Sequence, residues 1–183
     1  MFNLLRQVLA GVRQKKTESY LKNLIGKGLV IGENTSIMEP FFFDPQHCFL
    51  ISIGKNCTLA PNVRLIAHDA STKRYLGYTR IGKITIHDNC FIGDSVIVLP
   101  NVTIGSNTII GAGALVNKNI PENVVAAGNP VRVICSLQDY KSKMKNSAMK
   151  TGVYGDEYML DNITNDRMKE MLSKLENGEG FIK

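Results

Sequence analysis

Ile86, Ile92, Val98, Ile104, Ile110 and Val116 recur at intervals of six residues, and Ile53, Leu59, Leu65 and the pair Ile31 and Ile37 repeat the interval in a shifted phase. An amphipathic helix would need apolar residues at i, i+3, i+4 and i+7, and a half-buried strand would need strict alternation; neither pattern persists here. The remaining positions of the unit are restricted too. Gly follows the aliphatic residue at Gly32, Gly54, Gly93, Gly105 and Gly111. Asn stands three residues after it at Asn34, Asn56, Asn62, Asn89, Asn101 and Asn107, and a small or β-branched residue stands four after it, as at Thr35, Cys57, Cys90 and Thr108.

Such a unit makes one short strand and one corner. The aliphatic side chain enters a confined interior, the small one fits beside it, and Asn or Gly supplies the left-handed backbone conformation of the corner. Three units close a triangular turn of about 18 residues, and turns stacked at the strand spacing of roughly 4.8 Å form a prism with parallel sheets on three faces. The fold class predicted is therefore an all-β core, a parallel β-helix of hexapeptide repeats. A Rossmann fold is excluded, because Gly111-Ala112-Gly113 lacks the third glycine of that fingerprint. With the interior filled by side chains, function must sit on outer faces, in loops that leave the coil, or between neighbouring copies.

Two departures from the repeat organise the rest of the chain. Between Leu65 and Ile81 a polar loop, residues 67–80, carries His68, Asp69, Ser71, Tyr75 and several basic side chains, and long polar loops on rigid scaffolds tend to carry function. After Pro121 the repeat stops, and residues 124–134 are expected to fold back and protect the open edge of the last turn. The domain organisation read from this is a basic N-terminal helical segment over 1–27, the β-helix over 28–135, and a helical extension over 136–183. In the extension, Leu137, Tyr140, Met144 and Ala148 predict one helix, and Thr164 or Asn165 caps a second that carries Met168, Met171, Leu172 and Leu175.

The net charge of +6 comes almost entirely from the first 30 residues, where six Lys/Arg face one acid, whereas residues 86–135 hold two against three. A nucleic-acid binder would concentrate its basic residues on the folded body, so DNA and RNA are not expected as partners. Phe2, Leu5, Val8, Leu9 and Val12 share one helical face beside Arg6 and Arg13, which would suit peripheral contact with an anionic membrane or packing against the protein itself. No run of 18 apolar residues occurs, and the first apolar stretch is broken by Arg6 and Gln7, so a cytoplasmic location is expected. Cys48, Cys57, Cys90 and Cys135 form no Cys-x-x-Cys pair, which predicts reduced, mostly buried thiols and neither a zinc ribbon nor a disulfide framework.

The hexads, the histidine-bearing loop, the stretch Ile110-Gly111-Ala112-Gly113-Ala114-Leu115-Val116-Asn117-Lys118-Asn119-Ile120-Pro121 and the run Ala127-Gly128-Asn129-Pro130-Val131-Arg132-Val133-Ile134 together resemble the hexapeptide-repeat acyltransferases over about residues 28–135. Within that superfamily the chain looks most like the galactoside and maltose O-acetyltransferase branch and its relatives in capsular and exopolysaccharide synthesis. The resemblance implies a left-handed coil, a homotrimer, and acetyl-CoA in the groove between two subunits. Periodicity alone gives the prism without its hand.

Moving an acetyl group from a thioester to an alcohol requires removing the hydroxyl proton as the oxygen attacks, and neutral imidazole is the natural base near pH 7. His68 matches the family's catalytic histidine, three residues after Leu65. Asp69 is expected to orient that ring, meet the acceptor or simply form the turn, and Asp44, beside the break that contains His47, is expected to hydrogen-bond sugar hydroxyls. For acetyl-CoA the family pattern implies Phe91 as a shield for the thioester, Asp94 and Ala112 as cofactor contacts, Asn117 and Lys118 as the counterpart of a Thr-Lys pair, and Arg132 near the nucleotide phosphates. Backbone N–H groups would stabilise the oxyanion.

The expected function is acetyl-CoA-dependent O-acetylation of a saccharide hydroxyl with no metal required. N-acetylation of an amino sugar or nucleotide sugar is the alternative on the same scaffold. A zinc carbonic anhydrase needs three converging histidines, two of them close in sequence, whereas His47, His68 and His87 are 21 and 19 residues apart. A non-catalytic trimeric scaffold is the remaining alternative.

Overall fold

A computed structural model describes residues 17–176 and 178–183, and the described residues form two compact units, one up to Leu137 and one from Gln138. The basic apolar face from Phe2 to Val12 lies outside the described residues.

The first unit is the predicted prism. The strands of its coil, two to five residues long, fall into three sheets that the chain visits in turn, and the loop 67–80 adds a separate two-stranded ribbon. Sheet A stacks Val30–Ile31, Ile51–Ile53, Ile84–Ile86 and Val102–Ile104. Sheet B stacks Ser36–Ile37, Thr58–Leu59, Phe91–Ile92, Ile109–Ile110 and Val124–Ala127. Sheet C stacks Phe42–Phe43, Arg64–Leu65, Ile97–Val98 and Leu115–Val116. All of these pairs are parallel, and each aliphatic hexad residue sits on its counterpart in the next rung: Ile53 on Ile86, Leu59 on Ile92, Leu65 on Val98. Those six residues are at most 1% exposed, and burying each contributes about 1.5–3 kcal/mol. The shift in phase between blocks is absorbed where the chain leaves the coil, at 44–50 and 67–80.

The two recurrent Gly and Asn positions of the hexad do different work at the corners. Asn34, Asn56, Asn62, Asn89, Asn101 and Asn107 all have φ between 53° and 63°, and Ser95 and Gly113 take the same place in their units with φ of 58° and 69°. The glycine that follows the aliphatic residue is absent from this left-handed set and is needed for space instead: a Cβ on Gly93 would lie 2.6 Å from the Ala112 nitrogen, and one on Gly105 would run into the backbone of Pro121 and Glu122. Asn turns the corner, and Gly lets the next rung come close. One corner also carries an amide ladder, with Asn56 Nδ2 donating to Asn89 Oδ1 at 3.2 Å, Asn89 Nδ2 to Asn107 Oδ1 at 3.1 Å, and Asn107 Nδ2 to Asn123 Oδ1 at 3.1 Å.

Both ends of the coil are covered by the chain itself. Residues 17–26 are helical, and Leu24 is buried in the same apolar core as Leu29, Phe43 and Cys48. At the other end Val124–Ala127 adds one more parallel strand to sheet B, and Arg132–Ser136 folds back antiparallel along it, so the edge is paired as expected. Cys48, Cys57 and Cys90 are buried and Cys135 half-buried, all four as free thiols.

In the second unit the helix Leu137–Thr151 leads to Val153–Tyr154, which pairs in parallel with Phe181–Ile182. The helix Asn165–Lys174 starts where expected, its Thr164 side chain accepting from the Arg167 N–H. Tyr158 packs against Tyr154 with ring centroids 4.8 Å apart and planes tilted by 59°, and it donates to Glu170, which also accepts from Lys174. Among the described residues no helix is long and apolar enough to cross a membrane.

Candidate active site

The corner between sheets C and A holds the densest set of acid–base groups. Successive rungs align there through backbone bonds from Asp44 N to Leu65 O, Ile66 N to Val98 O, and Leu99 N to Val116 O, which stack Asp44, Ile66, Leu99 and Asn117 into one column. At Asp44 the first rung breaks into the 3-10 turn Cys48–Leu50, and at Ile66 the second rung releases the loop. Loop residues His68–Asp69 pair antiparallel with Arg80–Ile81, so the excursion leaves and re-enters at one point and holds His68 directly against the column.

His68 Nδ1 and Asp44 Oδ2 form a short hydrogen bond. Asp44 has no exposed surface; its Oδ1 accepts from the backbone N–H groups of Gln46 and His47 at 3.1 and 3.2 Å. Burial pushes the Asp44 carboxyl up, yet the His68 hydrogen bond, the Gln46 and His47 amides and the His68 charge together outweigh it and hold the group below the usual carboxylate range. Asp44, expected to meet sugar hydroxyls, has both oxygens engaged inside the protein, Oδ1 by the two backbone amides and Oδ2 by the His68 imidazole. Its hydrogen bond places the ring proton on Nδ1 and leaves the Nε2 lone pair available, the arrangement a general base needs. Asp69, weighed as that orienter, turns elsewhere: it accepts from Ser71 N at 2.9 Å and from Arg80 at 3.0 Å. His47 joins the cluster, its Nδ1 3.6 Å from Asp44 Oδ2 and its ring 5.2 Å from that of His68. His87 is exposed on the coil and apart from it.

His68 lines an open groove of about 350 Å³ with Ile66, Asp69, Ala70, Arg80, Leu99 and Pro100. Arg80, Leu99 and Pro100 also border an adjoining groove of about 530 Å³ that runs to Asn101 and Asn117. Of the residues implied for the acyl donor, Asn117 thus shares a trough with His68 in one chain. Asp94 and Ala112 lie at a different corner, between sheets B and C, where Gly113 N bonds Asp94 O at 2.8 Å. The Asp94 carboxylate is engaged there by Asn62 and Ser95. Phe91 is exposed on sheet B, Lys118 is exposed beyond Asn117, and Arg132 borders a shallow groove with Gly128, Asn129 and Pro130. A further groove of about 450 Å³, lined by Pro40, Phe42, Asn62 and Arg64 on sheet C, holds no acid–base pair.

Residues 83–118 match the family described as bacterial transferase hexapeptide (six repeats). A galactoside O-acetyltransferase of Lactococcus lactis is 40% identical over 155 residues, covering 72% of this chain and 70% of its own length. The chain belongs to the hexapeptide-repeat acyltransferase family. A galactoside O-acetyltransferase of Escherichia coli is 39% identical over 125 residues, covering 66% of this chain and 58% of its own. The chain spans between 56% and 66% of the length of the first four curated relatives it matches. A hexapeptide-repeat acetyltransferase of Vibrio cholerae, solved with acetyl coenzyme A, shares the fold at a TM-score of 0.50 with 22% identity over 67% of this chain and 78% of that one.

Proposed function

We propose that the protein transfers an acetyl group from acetyl-CoA to a hydroxyl of a saccharide, with His68 as general base and Asp44 as the carboxylate that positions it. The observation that carries this reading is the His68–Asp44 pair at the head of an open trough, in a chain whose family includes galactoside O-acetyltransferases. His68 Nε2 takes the proton of the acceptor hydroxyl as its oxygen bonds to the thioester carbonyl carbon. When the carbon–sulfur bond breaks, the same nitrogen returns that proton to the departing thiolate. Asp44 holds the proton on Nδ1 and stabilises the imidazolium that forms between these steps.

The remaining donor contacts argue for a second copy. Asp94 and Ala112 occupy a different corner of the prism from His68, so a site that uses both corners is completed only when two copies meet face to face. A homotrimer of left-handed coils meets that need, with Phe91, Asp94, Ala112 and Arg132 of one subunit facing the corner of another that carries His68, Asn117 and Lys118. Residues 28–135 form the transferase domain in this reading, 136–183 are an appendage outside the chemistry, and the place proposed for the reaction is polysaccharide or cell-surface glycan synthesis.

The test is transfer of radiolabel from acetyl-CoA to a panel of sugars offering hydroxyl or amino acceptors. An O-acetylated product should form, and His68→Ala should lower turnover by about 100-fold to 10,000-fold with acetyl-CoA binding retained. Unchanged turnover in that variant refutes the base assignment, and exclusive labelling of amino groups refutes the O-acetyl reading.

A further inference from the structure

Asp44, His47 and His68 each present a metal-type donor atom, the three lying within 4.8 Å of one another, and both rings turn Nδ1 toward Asp44 Oδ2. The carboxylate is pre-set for the role of a single-oxygen ligand: two backbone N–H groups occupy Oδ1, which aims Oδ2 between the two rings. His47 Nδ1 is buried without a hydrogen-bond partner, an orphaned lone pair or N–H that water does not reach. The two rings are otherwise half-exposed, so one side of the cluster remains open for a further ligand. The acetyl-transfer chemistry uses the His47 backbone N–H, which holds Asp44, but not its imidazole.

We propose that this cluster is a regulatory site for a divalent transition-metal ion, Zn²⁺ above all, whose binding switches the transferase off. Two imidazoles and one carboxylate around an open position suit zinc and its neighbours, and a single carboxylate is too few oxygens for Mg²⁺ or Ca²⁺. Tetrahedral zinc with bonds near 2.0–2.1 Å sets its ligand atoms roughly 3.3 Å apart. The 3.6 Å between His47 Nδ1 and Asp44 Oδ2 already approaches that, and rotation of the partly exposed rings parts the direct His68–Asp44 hydrogen bond so that the ion takes the place of its proton. Coordination takes the Nδ1 lone pair of His68, so the neutral ring must carry its proton on Nε2. The proton balance is internal: Nδ1 gives up its proton and Nε2 holds one. A ring in that state has no lone pair for the acceptor hydroxyl. The inhibition rests on the base role of His68 proposed above, whereas the binding itself does not.

Calorimetric titration of the full chain with ZnCl₂, and of parallel samples with CoCl₂ followed by visible d–d absorption, tests the site without any acceptor sugar. The expected result is one ion per chain, insensitive to a large excess of Mg²⁺, with a tetrahedral cobalt spectrum. His47→Gln should weaken binding by at least about 10-fold to 100-fold, the loss that even outer partners of metal ligands produce. It should also keep metal-free transfer within about twofold of the parent and resist zinc at concentrations that silence the parent. His68→Ala, altered on the loop rather than in the coil, should lose binding as well. No stoichiometric zinc uptake, or equal uptake by His47→Gln, overturns the site. Zinc binding with undiminished transfer overturns the switch and, with it, the base role of His68.

Discussion

Replacing Asp44 by Asn separates orientation from packing more sharply than any other change at this site. Asn is isosteric, keeps an oxygen for the Gln46 and His47 amides, and puts an NH₂ where Oδ2 faced His68. That NH₂ donates, so it draws the lone pair of His68 to Nδ1 and forces the proton onto Nε2. The base is then present in the wrong tautomer. Analogous loss of an orienting carboxylate costs on the order of 10⁴ in turnover, and general-base catalysis as a whole is worth about 10²–10⁴, so kcat should fall by about 10²–10⁴, or roughly 2.7–5.5 kcal/mol of barrier. Asp44→Ala should show the reverse ranking in two assays. Without any side chain to prefer a tautomer, some correctly protonated His68 survives and kcat stays above that of the Asn variant. The buried amides of Gln46 and His47 lose their acceptor, however, which destabilises the fold by about 1–3 kcal/mol where Asn preserves it. Steady-state acetyl transfer at saturating acetyl-CoA, paired with urea denaturation, reads both quantities. An Asn variant within about threefold of the parent in kcat, or an Ala variant that is worse in both assays, refutes the orienting role.

Further outcomes follow from the coil and from the buried carboxylate. Gly105→Ala places a methyl 2.4–2.7 Å from three backbone atoms of Pro121 and Glu122, which cannot swing away, and should cost at least about 1–3 kcal/mol by urea unfolding. Asn107→Ala gives up both the left-handed preference at φ 56° and two rungs of the amide ladder, so it should cost about 1–2 kcal/mol or more, and Asn107→Gly, which pays no steric penalty, clearly less. Because the folded-state pKa of Asp44 is depressed, its contribution to stability is complete above the ordinary carboxylate value and is lost as pH falls through the lower folded value. Metal-free protein should therefore shed this part of its stability below about pH 4, and Asp44→Asn should flatten that part of the acid limb; an unaltered limb counts against the shift.

The cysteines show how one position of the repeat can be legible in size and opaque in chemistry. Small residues at the fourth place after the aliphatic one were expected for space alone. In the structure Cys57 Sγ donates to His87 O and Cys90 Sγ to Gly105 O, both at 3.2 Å, as Thr35 does to Gly54 O and Thr108 to Pro121 O. Each thiol or hydroxyl satisfies a corner carbonyl of the next rung, a need that appears only once rungs are stacked. Glycine shows the same division. Its recurrence along the hexads reads as a conformational demand, whereas its neighbours reveal a demand for close approach.

The site divides along a similar line. His68 was legible because it stands where the repeat is interrupted, and local interruption is a property of the chain. The role of Asp44 was not, since it lies 24 residues upstream and the choice between Asp44 and Asp69 as partner depends on which one the rung register brings underneath the loop. Counting turns carries a trace of it: Phe43 continues the series Ile31, Ile37, so Asp44 and Ile66 fall at the same corner of successive rungs. Period-six spacing, corner asparagines and the interrupting loop are encoded residue by residue, because burial and backbone preference act locally and repeat identically in every unit. The pairing of Asp44 with His68, the orphaned nitrogen of His47 and the trough that reaches Asn117 exist only through stacking, because contacts across rungs are fixed by how many residues each turn consumes before the chain returns to the same edge.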